Sequence, residues 1–111
     1  MTKTEQAWQR VKDAHDTMMQ AYREYLDIAQ KEGVLPKIGH VYHQKIGYCH
    51  IGKDILVNSF EKSNTMPDRM PYIIYSPLKK DGSKSAITAN RSSFQFTNDL
   101  VYKGEYSNDQ N

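Results

Sequence analysis

Cysteine is nearly absent from this chain: of 111 residues only Cys49 carries a thiol. A single thiol cannot close an internal disulfide, so the fold has to rest on its hydrophobic core. The same scarcity fits a reducing, cytoplasmic setting. Long hydrophobic runs are missing too. No segment approaches the ~20 apolar residues of a membrane-spanning helix, and the opening MTKTEQAWQR has no apolar stretch behind its charges, as a secretory signal would. No membrane partner is therefore expected. Net charge is small, +2, and by itself gives no argument for nucleic acid. Phenylalanine and tryptophan are scarce, three and one, whereas tyrosine occurs eight times. An aromatic with a polar tip suits half-buried sheets and binding surfaces alike. There is no internal repeat and no sign of a second domain. With 38% hydrophobic and 25% charged residues, the composition is that of an ordinary soluble globular chain with a modest core.

What is present begins with a helix. Thr2 followed by Glu5 has the spacing of a capping box. Apolar or small residues then recur at Ala7, Val11, Ala14, Met18, Ala21, Tyr25 and Ile28, alternating steps of four and three in a heptad seam. Gly33 and Pro36 stop the pattern. The spacing predicts a helix over residues 3–32, roughly 45 Å long at 1.5 Å per residue. A compact domain of this size has a radius of gyration of about 13 Å. The helix must therefore either overhang its sheet or be wrapped by a strongly curved one. An overhanging seam made of Ala7, Val11, Ala14, Met18, Ala21 and Tyr25 predicts a homodimer.

After Leu35 short alternating runs and turn residues take over, the pattern of antiparallel strands. One hairpin is expected from Lys45–Ile51 and Asp54–Phe60 around Gly52-Lys53. A second is expected from Pro71–Lys80 and Ser83–Ala89 around Asp81-Gly82. Pro77, with no amide proton, calls for an edge or a bulge. A third strand pair, Ser92–Thr97 with Leu100–Tyr106, turns at Asn98-Asp99, and the polar end SNDQN reads as a frayed tail over residues 107–111. The expected fold class is α+β: one long N-terminal helix packed on an antiparallel sheet of about five hairpin-built strands over residues 37–106, forming a single domain.

Gly39–Ile55 concentrates His40, His43, Cys49 and His50. Alternation along a strand sends Cys49 and His50 to opposite faces, Cys49 toward Leu56 and His50 toward Ile55. His40 and His43 are divided in the same way. Neither a zinc spacing nor a Cys–His catalytic pair results, so no metal, no cofactor and no catalytic residue is expected. The run PLKKDGSKSAITANR is more suggestive. Residues 69–91 hold five basic groups against Asp81 alone, and a two-residue turn at Asp81-Gly82 sets Lys79 opposite Lys84. Such like charges are tolerated at a protruding tip or against an anion. Lys79, Lys80, Lys84, Arg91 and Tyr75 are the candidate binding residues. GSKS lacks the rest of a phosphate-binding loop.

These features point to a small non-catalytic binding protein. It would occupy the surface of a macromolecular partner through Tyr- and Lys-bearing hairpins, as viral or mobile-element inhibitors and regulators do. A protein partner is favoured over nucleic acid because net charge is low and the helix slightly acidic. The alternatives are a nucleic-acid-binding protein or small ribonuclease using His40, His43 and His50 with Arg69 and Arg91, and a sponge for a small ligand held between helix and sheet.

Overall fold

The computed structural model describes residues 2–46, 50–66, 69–93 and 96–107. Helix α1 spans Lys3–Glu32, as the periodicity predicts. Its ends are set by local chemistry. The Thr2 hydroxyl accepts the Glu5 amide at 3.1 Å, satisfying one of the orphan donors of the first turn. At the other end Gly33 turns left-handed (φ 78), and the Ala29 carbonyl accepts the amides of Val34 and Leu35 at 2.9 and 3.1 Å. Only glycine takes that backbone conformation without steric cost.

Five strands follow: β1 (His40–Gln44), β2 (Asp54–Glu61), β3 (Tyr72–Pro77), β4 (Ala89–Ser92) and β5 (Leu100–Glu105), with a short helix α2 (Phe96–Asp99) before the last. All pairings are antiparallel, in the order β4-β3-β2-β1-β5. Strands β1 to β4 form a meander, and β5 returns to the opposite edge beside β1. The fold is thus α+β, a long N-terminal helix packed with a five-stranded antiparallel sheet. Among the described residues no helix is long and apolar enough to cross a membrane.

Three local expectations need correction. The strand paired with β2 is His40–Gln44, with Val41 opposite Leu56; of the expected Lys45–Ile51, residues 45, 46, 50 and 51 are not in a strand and 47–49 lie outside the described residues. The connection ends in a four-residue turn in which Lys53 N–H donates to the His50 carbonyl at 3.2 Å, with Gly52 left-handed at its third position. Cys49 lies outside the described residues. Ser92 pairs with Tyr72 of β3, Phe96–Asp99 is helical, and Leu100–Glu105 is laid against β1; residues 94–95 of the expected strand lie outside the described residues. The end of the tail, residues 108–111, also lies outside the description.

The sheet is curled. On a flat sheet β4 and β1 would be three strand spacings apart, about 14 Å. Yet Arg91 on β4 donates to the carbonyl of Ile46, just past β1, at 3.2 Å, and pairs with Asp99 at the entry to β5. Inside the curl sit Tyr42, Ile55, Val57, Ile73, Tyr75 and Leu100, closed by Phe96 from α2. A bulge at Asn58 matters here. Val57 faces Tyr75 while Phe60 faces Ile73, so the extra residue keeps Phe60 on the core side, where it packs on the cluster. Pro77 ends β3, and its carbonyl accepts from Ser85 at 3.0 Å. In an antiparallel ladder a residue's N and O face the same neighbour, so the missing N–H points toward the stretch where the partner chain leaves the ladder before β4.

The molecule measures 60 × 32 × 25 Å with a radius of gyration of 17.5 Å, against about 13 Å for a compact chain of this length. The excess is α1. Its contact with the rest of the fold is confined to the second half, where Ala29 is its one buried residue, next to buried Leu35 and Pro36 in the connection.

Candidate functional site

The histidines are dispersed, each with its own partner. His40 Nδ1 lies 2.8 Å from the Tyr102 hydroxyl, across the β1–β5 ladder. His43 Nδ1 is 2.9 Å from Asp54 Oδ1, its directly opposed residue on β2. His50 has φ 61, a left-handed conformation that histidine tolerates better than most side chains. That geometry brings its ring edge-on to Tyr75 with Nδ1 3.1 Å from the phenol oxygen. His50 therefore meets Tyr75, not Ile55. On the helix, His15 stands beside Asp16. Among the described residues no three His, Cys, Asp or Glu side chains gather as metal ligands would.

The candidate binding residues divide. Lys79, Lys80 and Lys84 are exposed at a hairpin tip, but the turn is one residue longer than the dipeptide Asp81-Gly82. The Gly82 amide donates to the Lys79 carbonyl at 2.9 Å and the Lys79 amide to the Ser83 carbonyl at 2.8 Å. Gly82 is left-handed (φ 86), so this is a three-residue loop with a type I turn and a glycine bulge. The added residue shifts the register: Leu78, not Lys79, faces Lys84. Direct opposition of two ammonium groups is thereby avoided. Asp81 folds back into the loop, its Oδ1 accepting the Ser83 hydroxyl at 2.6 Å and the Ser83 amide at 2.9 Å. Those hydrogen bonds, with Lys79 nearby, hold its carboxyl below the usual aspartate range.

Arg91 and Tyr75 lie elsewhere. The Arg91 side chain is 14% exposed, paired to Asp99 at 18%, and closes the curled sheet instead of joining the lysine tip. Tyr75 is 2% exposed in the core and offers no face to a partner. Sequence patterning could not place either one, because both positions depend on how far the sheet curls.

The helix seam presents the opposite picture. Ala7, Val11 and Ala14 are exposed, and so is Trp8 beside them. Lower down, Met18, Ala21, Tyr22 and Tyr25 form one wall of an apolar groove of about 370 Å³. Met66, Arg69, Met70 and Pro71 of the β2–β3 connection form the other. The methionines give this groove adaptable, polarizable walls; it is the feature that sequence reading of the seam alone did not find. The Tyr22 hydroxyl is buried at the helix–sheet junction with no hydrogen-bond partner among the described residues. Burial, then the neighbouring Tyr25, raises its pKa above the ordinary 10.0.

No protein-family model, curated protein or solved structure matches the chain.

Proposed function

We propose that this chain is a small binding protein without catalytic activity, acting as a homodimer that occupies the surface of a macromolecular partner in the manner of a viral or mobile-element inhibitor or regulator. The observation that carries this reading is α1. About half of the helix stands clear of the sheet with Trp8 60% and Val11 54% exposed. A contiguous apolar stripe left in water is the usual mark of an association surface. The lysine tip supplies a second, charged contact: three ammonium groups at one hairpin tip, with the lone carboxylate of Asp81 turned inward to Ser83. A protein with an acidic patch suits this arrangement better than nucleic acid, since the chain carries a net charge of only +2.

Capture from a host extract, read by mass spectrometry, tests the reading when run beside a Lys79→Glu, Lys80→Glu, Lys84→Glu variant. A partner enriched by the parent and lost by the variant is expected. Equal recovery by both removes the lysine tip from the function.

A further inference from the structure

We infer that the cover of α1 is a second copy of the same helix, running antiparallel, with a two-fold axis level with Asp16. This rests on the reading of α1 as an association surface and specifies its partner, direction and register.

The fold leaves the seam, Met18 apart, exposed. In the second half of α1 the partly or fully buried residues are Met18, Met19, Tyr22, Leu26, Ala29 and Gln30. At 100° per residue their stripe is centred about a quarter turn from the line through Ala7, Val11, Ala14, Ala21 and Tyr25. The helix therefore meets its own sheet on one flank while the heptad face stays open.

That face is self-complementary. Over residues 7–25 one edge is alanine, Ala7, Ala14 and Ala21, with Ile28 beyond it; the other is larger, Val11, Met18 and Tyr25. Antiparallel pairing sets the two edges against each other. Val11 meets the partner's Ala21, Met18 meets the partner's Ala14, and Tyr25 meets the partner's Ala7, with each contact repeated by symmetry. Every layer then combines one large and one small side chain, which fills space at close approach. Parallel pairing would stack Tyr25 on Tyr25 and alanine on alanine, giving crowded layers alternating with voids.

The flanks agree with the same register. On one side Arg10 falls beside the partner's Glu24, twice, with Thr17 facing itself near the axis; opposite charges at these positions set orientation in helix pairs. Lys3 falls toward the partner's Lys31, whose charge is already met by Asp27 of its own helix at 3.0 Å. On the other flank Trp8 faces the partner's Tyr22, at the groove whose far wall carries Met66 and Met70. Thioethers and an indole pack favourably. The most exposed aromatic of α1 and the apolar groove thus become two halves of one contact. A helix of unrelated sequence has no reason to mirror this order; a two-fold, isologous interface requires it.

Light scattering should give twice the 12.9 kDa of one chain, and a single-chain mass at micromolar concentration overturns the inference. Direction is read by oxidising an equimolar mixture of Ala14→Cys and Met18→Cys chains, with the parent as control for Cys49. The mixed disulfide is expected. Self-disulfides formed by each variant alone mean a parallel pair and refute the register. Glu24→Arg should weaken the dimer roughly tenfold by opposing like charges twice, and adding Arg10→Glu should restore it; no restoration counts against the pairing. Trp8 is the sole tryptophan, so its emission should shift to the blue as the dimer forms. A doubled mass with unchanged emission would place the interface elsewhere. Changing Lys79, Lys80 and Lys84 to Glu should leave the mass doubled, so loss of the macromolecular partner alone refutes the earlier reading and not this one.

Discussion

At Tyr22 a phenol oxygen has been taken out of water with no hydrogen-bond partner among the described residues. An unpaired buried hydroxyl costs free energy, and its removal leaves a ring of the same shape. Tyr22→Phe should therefore stabilise the protomer by about 1 kcal/mol, read as a raised midpoint in urea with unchanged slope; a lower midpoint would mean that the oxygen has a partner. Tyr42 makes the contrast. Its hydroxyl accepts the Lys37 amide at 2.9 Å, fastening the connection after α1 to the sheet, so a phenylalanine there strands a backbone donor. Burial raises the Tyr42 pKa as it does that of Tyr22, and the Lys37 hydrogen bond partly opposes the rise.

Among the elements, the lysine hairpin is tied to a titrating group. The folded loop holds Asp81 below its ordinary value of 3.8, because the carboxylate and not the acid accepts from Ser83. A depressed folded pKa contributes order that is present above the unfolded value and lost as pH falls through the folded one. The Ser83 amide resonance should thus stay fixed at neutral pH and move only in strong acid, with Asp81→Asn removing that transition; movement near neutrality would contradict the loop geometry. How legible each element was follows the range of the forces that make it. Helix α1 could be read to the residue because its period, its Thr2 cap and its Gly33 stop are all local. The hairpin tip was found but misregistered by one, since Lys-Asp-Gly supports a two- or a three-residue loop and only the backbone hydrogen bonds decide. The strand before Gly52 was misplaced because Lys45–Ile51 and His40–Gln44 alternate equally well. That β5 belongs beside β1 had no local signal at all. The heptad pattern of the seam was legible for the same reason as the helix; the positions of Arg91 and Tyr75 were not, because a long-range curl determines them.

On the scale of the whole molecule, the curled sheet is clasped across its edges. Arg91 joins β4 to Asp99 and to the Ile46 carbonyl, and both charged side chains are largely withdrawn from solvent. Truncating Arg91 to alanine leaves the Asp99 carboxylate and that carbonyl without their donor. A loss of about 3 kcal/mol is expected, measured by denaturant unfolding. A change below about 0.5 kcal/mol would show that the curl is held by the Tyr42–Phe96–Leu100 packing alone. Because α1 projects on its own, such a loss should loosen the sheet while the helix keeps its caps.

The return of β5 to β1 also has a temporal side. Residues 40–44 leave the ribosome well before residues 100–105, their partners, and chains emerge at only about 5–20 residues per second. For several seconds the nascent meander carries β1 as a bare edge, flanked by exposed Ile38 and Ile46. An unpaired apolar edge invites pairing with a neighbouring chain. Polysomes crowd identical copies together, so the soluble yield should fall when the codons for residues 100–105 are translated more slowly.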